Sequence, residues 1–277
     1  MKNQATYVVS IVSTLAVLFL GVPAHGDEAA GSAAGTPSAK TALGKLAAAM
    51  KPGEMKELRC KGYTQGLVWG RYGGEIDKIG KVTNGDSIFN YSNKGAWDAQ
   101  SRQFFFMGLG HYGALKFINY SDDANEWKLM PVPPWCNPLE TKKPWPRSHA
   151  YSKNAVDVEN RLFLYFGLSR GIRRYHIDEK KWLGPVPLKS GMPTFKDANS
   201  GGVVFPELGG WVRFWHGRLH LYSPEKKKWK DLGSRGPVGM HGVAEYSSKT
   251  NVMVFGGGNV KKGTPPHLFA LDTEGKL

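Results

Sequence analysis

One pattern recurs four times along this chain, and it limits the fold more than any other feature. The segments Ala96–Gly108, Ala155–Gly167, Val203–Trp215 and Ala244–Gly256 align without gaps at offsets of 59, 107 and 148 residues. Each reads as a short strand, a tight polar turn, and an apolar strand that usually ends in glycine. A second register lies downstream of the first three. Tyr120, Tyr175 and Tyr222 each precede a tryptophan (Trp127, Trp182, Trp229) by seven residues, with a charged turn between them (SDDANE, HIDEKK, SPEKKK). A unit therefore runs strand, turn, strand, loop, Tyr-bearing strand, turn, Trp-bearing strand.

Such a unit is one four-stranded antiparallel sheet. A lone sheet of this size cannot bury both of its faces, so the units must stack side by side around an axis. The fold class expected is all-β, a β-propeller of four-stranded antiparallel blades. The repeated Trp fills the space between neighbouring blades, and the glycine after the second strand lets the backbone turn where a side chain would clash. These residues are read as structural and not as ligand sites.

The pattern resembles the kelch family, on Phe255-Gly256-Gly257-Gly258, Phe166-Gly167, the Tyr/Trp spacing and a repeat of 47 to 59 residues, close to the kelch period of about 50. It is similar also to galactose-oxidase-like propellers, which share the blade. The resemblance covers roughly residues 90–277 and implies blades near 90–130, 148–186, 199–232 and 240–277. It implies no activity, because kelch propellers serve both as binding scaffolds and as unrelated enzymes. The repeats are divergent: one unit carries the full Gly-Gly doublet, and the third has Trp215-His216 in its place. Matching Asp272 to Asp178 places the next Trp near position 276. Two readings follow, a ring with further blades beyond this sequence, which is favoured, or a fourth blade completed by Met55–Leu58 as an N-terminal strand. Residues 61–92 could supply part of one more blade.

The N-terminus reads as a signal peptide over residues 1–26. Lys2 precedes an apolar run from Tyr7 to Val22, and Ala24-His25-Gly26 suits cleavage before Asp27. The expected location is secreted or periplasmic, with no membrane association after cleavage. Residues 27–53 read as a flexible leader with a short helix over Thr41–Lys51, stopped by Pro52-Gly53, and residues 54–277 as the propeller. The chain carries a net charge of +14, which favours acidic partners through its field. Cys60 and Cys136 would suit one disulfide in an exported protein. They have no His partners at zinc-ligand spacing, and no cofactor is expected.

Strand order places the long loops at one end of the propeller and the short polar turns at the other. The loops between second and third strands hold His111, Tyr112, Arg170, His216 and Asn259. Those between blades hold Trp135, Trp145, Arg147 and Arg235. The loop Pro131–Arg147 is stiffened by prolines. A Trp held by such a loop offers a flat face to a pyranose, and nearby Arg and Lys bind carboxylate or sulfate. Asn93, Ser152, Ser200 and His241 start the strands that line the axis and suggest a polar ring there. The ligand-binding candidates are thus His111, Tyr112, Trp135, Trp145, Arg147, Arg170, His216, Arg235, His241 and Asn259; no catalytic residue is assigned.

A copper site of the galactose-oxidase type would need His111, Tyr112, His149, His241 and Cys136 to converge, and no spacing supports that. A glycosidase needs paired carboxylates, and this end is poor in acids. A lyase using His111 and Tyr112 fits the composition better. Lys226-Lys227-Lys228 is a solvated turn, and export argues against nucleic acid. The function expected is a binding module for an acidic polysaccharide or a cell-surface protein. A carbohydrate-active enzyme of lyase or oxidase type and a protein-interaction scaffold are the alternatives.

Overall fold

The computed structural model describes residues 40–68, 87–90, 92–109, 115–136, 150–167, 171–190, 192, 200–215, 217–234, 241–258 and 267–277. They form a four-blade β-propeller of antiparallel sheets. Blade 1 holds β1 (Ala96–Asp98), β2 (Gln103–Leu109), β3 (Leu115–Ser121) and β4 (Glu126–Leu129). Blade 2 holds β5 (Asn154–Asp157), β6 (Leu162–Tyr165), β7 (Ile172–His176) and β8 (Lys181–Val186). Blade 3 holds β9 (Ser200–Phe205), β10 (Gly210–Trp215), β11 (Arg218–Ser223) and β12 (Lys228–Ser234). Blade 4 holds three strands, β13 (Val243–Ser247), β14 (Val252–Gly256) and β15 (Leu268–Leu271). In each sheet the strands lie in chain order, and the first strands of neighbouring blades sit next to one another around the axis.

The repeat is visible in the backbone as well as in the residues. The first hairpin turn of each blade ends on a residue with positive φ: Arg102, Arg161, Gly209 and Asn251. So does the turn after each third strand: Asn125, Lys180, Lys227 and Gly275. The same register corrects the spacing in blade 4. Ser247 pairs with Val252 as Asp98 pairs with Gln103, so the fourth copy begins one residue later than the sequence alignment places it. A slip of one residue exchanges the two faces of a strand, and it is Phe255, not Val254, that packs inward toward blade 3. Leu271 lies opposite Met253 as Tyr175 lies opposite Phe163, so Leu271 holds the Tyr position and Asp272 matches His176, not Asp178.

Three clusters of buried side chains join the blades. Phe105, Met107 and Phe117 of blade 1 meet Phe163, Tyr165 and Tyr175 of blade 2, with the Phe117 and Phe163 rings stacked 4.7 Å apart. Leu162, Leu164 and Phe166 of blade 2 meet Trp211 and Tyr222 of blade 3. Val203, Phe205, Val212 and Phe214 of blade 3 meet Ala244, Met253 and Phe255 of blade 4. Burying each such ring contributes about 2–3 kcal/mol. The Trp-bearing strands add a strap: Trp182 Nε1 donates to Pro131 O (3.1 Å) and Trp229 Nε1 to Pro187 O (2.9 Å), each carbonyl lying in the connector from the preceding blade.

The N-terminal segment does not complete blade 4. Met55–Leu58 is not a strand; helices α1 (Ala42–Ala48) and α2 (Gln65–Val68) with the chain between them cover the outer face of blade 1. Leu43, Leu67 and Val68 pack there on Phe104, Phe106 and Ile118, and Lys61 bridges in parallel to Glu126 of β4. Apolar contact explains the choice, since that face of blade 1 offers aromatic rings to cover. Cys60 lies in this layer as a free thiol, not in a disulfide, and burial pushes its pKa up. On the outer face of blade 4, Val243, Val254 and Leu268 are exposed.

Candidate functional site

The two ends of the propeller differ in charge. At the turn end, Asp98, Asp157 and Asp178 sit beside the hairpins and find partners there. Asp98 accepts from Gln100 N and Ser101 N, and from Arg161 Nη1 of the next blade at 2.8 Å. Arg161 also clasps Asp178 through Nε and Nη2, both at 2.9 Å, which holds the Asp178 carboxyl below its ordinary range. Asp157, the counterpart of Asp98 in blade 2, accepts from Trp211 Nε1 at 2.6 Å and so ties blade 2 to blade 3.

The strand ends at the other end, where the long loops depart, bury cations. Lys94, Lys116, Lys153, Arg173 and Arg213 are between 1% and 8% exposed. Burying a charge is costly unless partners offset the lost water. Lys94 Nζ donates to Ala244 O at 2.8 Å and lies 3.1 Å from Glu245, which links blade 1 to blade 4 across the axis. Lys116 Nζ donates to Gly66 O at 2.6 Å. The Arg173 guanidinium lies 4.7 Å from the centre of the Trp135 ring, a cation–π contact.

The axis is knitted by hydrogen bonds. Ser152 N donates to Asn93 Oδ1 (2.7 Å), Gly202 N donates to Ser152 O (2.9 Å), and Ser152 Oγ accepts from Ala244 N (3.0 Å). One serine thus touches all four blades. The approach is close enough that a Cβ on Gly201 would lie 2.6 Å from Ser152 O, and one on Gly202 would enter the Phe166 ring. The expected polar ring is therefore a bonded plug around Ser152.

Two of the ten candidates lie among the described residues. Trp135 is half-buried at the junction of blades 1 and 2, edge-on to Trp182 with ring centres 4.7 Å apart. His241 has φ +68° and stacks on Tyr151 at 4.4 Å, and burial pushes its imidazole below the usual value. They are not brought together. His111, Tyr112, Trp145, Arg147, Arg170, His216, Arg235 and Asn259 lie outside the described residues. Among the described residues no three His, Cys, Asp or Glu side chains are grouped to hold a metal ion. Sequence reasoning missed the buried cations because a charged residue in a strand reads as a solvated face. The doublet Arg173-Arg174, which puts one Arg on each face of β7, is the signal that could have exposed them.

No family model matches the chain, and no curated protein matches its sequence. The fold therefore stands on the repeat and its geometry.

Proposed function

We propose that this is an exported kelch-type propeller that binds an anionic glycan at the end from which the long loops depart. The observation that carries the reading is the set of buried cations at the strand ends beneath those loops. The strand ends beneath the long loops bury Lys94, Lys116, Lys153, Arg173 and Arg213, spread from the axis to the outer strands. A net charge of +14 gives the molecule a positive field that attracts acidic ligands. The loops that leave that end carry Trp145, Arg147, Arg170 and Arg235, the residue types that stack on sugar rings and clasp carboxylate or sulfate. The Tyr/Trp spacing and the Phe-Gly-Gly-Gly run support the kelch assignment, and the apolar N-terminus supports export.

The test is an array of acidic and neutral polysaccharides, probed at low and high salt. Binding confined to uronate- or sulfate-bearing chains, weakened by salt and reduced in Trp145→Ala or Arg147→Ala, is the expected result. A folded protein that retains no acidic glycan would reject the proposal and leave a protein partner as the alternative.

A further inference from the structure

The junction of blades 2 and 3 repeats the junction of blades 1 and 2 with one piece missing. Tyr175 faces Trp182 and Tyr222 faces Trp229, so an offset of 47 residues superposes the two blades. That offset lays His220 on Arg173, Arg218 on Gly171 and Asp231 on Gly184. In the first junction the connector places Trp135 over Arg173 and edge-on to Trp182, four residues after the strapping Pro131. Four residues after Pro187 the sequence has Gly191. The space that an indole fills in one junction is a cavity of about 210 Å³ in the other, lined by Lys189, Ser190, Met192, Arg218, His220, Trp229 and Asp231.

The substitutions change its chemistry as well as its volume. Where the first junction offers a bare glycine backbone at two positions, the second offers an Arg218–Asp231 ion pair at the rim. His220 forms the floor, 7% exposed, and its burial favours the neutral imidazole, which both donates and accepts. Trp229 supplies a ring edge held in place by its bond to Pro187 O. An indole offers a single donor to such groups; a ring carrying hydroxyls uses several of them. The volume holds about seven waters, the room of one sugar ring.

We propose that this notch is a subsite for a single pyranose ring of an acidic oligosaccharide. His220, Asp231 and Arg218 bind its hydroxyls, and Lys189 takes its carboxylate. The inference rests on the glycan reading above and names a place for one sugar.

The experiment titrates purified protein with a tetragalacturonate and, in parallel, with a neutral cellotetraose. Ser190→Trp refills the notch as Trp135 fills its counterpart, and Asp231→Asn keeps the shape while removing the acceptor charge. Expected are tenfold or greater loss of tetragalacturonate affinity in Ser190→Trp and a smaller loss in Asp231→Asn, each with an unchanged circular dichroism spectrum. If the wild type binds and both variants bind as well as it does, the notch is not the subsite, and the glycan reading stands. If the wild type binds neither acidic sugar here nor any on the array, both proposals fall. If cellotetraose binds the wild type as tightly as tetragalacturonate and is lost equally in Ser190→Trp, the notch takes a neutral ring and the acidic-sugar assignment is overturned.

Discussion

The junction between blades 1 and 2 is full, and the junction between blades 2 and 3 is not. In the first, Trp135 sits between the Arg173 guanidinium and Trp182, and Phe117 stacks on Phe163 and meets Tyr175 edge-on beneath. In the second, Trp211 and Tyr222 pack against Leu162, Leu164 and Phe166, yet the space above His220 is a cavity of about 210 Å³. Both keep the same strap from a Trp-bearing strand to a proline carbonyl. The repeat thus preserves what holds blades together and varies what lies above the strap. The comparison teaches that the contacts that hold blades together and the space left open occupy different layers of one junction.

Removing Trp211 has the largest effect. Trp211→Ala empties a fully buried site and removes the bond that ties Asp157 to blade 3, for a loss of about 4 kcal/mol in unfolding free energy by denaturant titration. Trp135→Ala opens the first junction as the second is open. A half-buried indole of this kind contributes about 2–3 kcal/mol, and thermal unfolding should show the loss, while Ser190→Trp shows none. Trp182→Phe and Trp229→Phe each delete one strap bond, worth about 1 kcal/mol; near-equal losses would confirm that the strap is common to both junctions.

The smallest expected effect distinguishes Arg173 from His220. Burial pushes the His220 imidazole down, so the folded protein binds fewer protons there than the unfolded chain. Its stabilising share is fully present above the unfolded value of about 6.5 and is lost as pH falls below it. His241 is shifted in the same direction. Thermal midpoints at pH 7.5 and 5.5 should therefore fall less in His220→Gln than in the wild type. The Arg173 position contributes no such slope, because its charge persists throughout this range.

The architecture was legible in the sequence because each blade repeats residues whose roles are local: the Tyr and Trp that face each other, the acids that cap turns, the glycine after the second strand. The one-residue slip in blade 4 was not, since Ala244–Gly256 matches the template almost equally well in either register and only strand pairing decides. The destination of Met55–Leu58 was also hidden. An extended apolar segment can cover any exposed face, and the competition between blades 1 and 4 is settled by tertiary contact. Of the site, the sequence showed the basic, aromatic loops. It did not show the buried cations or the notch at His220, because a missing side chain is visible only against the junction that has it.

The most direct measurement follows the indole Nε1–H resonances of Trp182 and Trp229 during titration with tetragalacturonate. Both protons donate to a proline carbonyl, and one junction is filled while the other is open, so each serves as a control for the other. The Trp229 resonance should move and saturate with the sugar while that of Trp182 stays in place. Movement of Trp182 with Trp229 fixed, or no movement of either while binding is observed by other means, would contradict the assignment of the open junction as the place where the ligand rests.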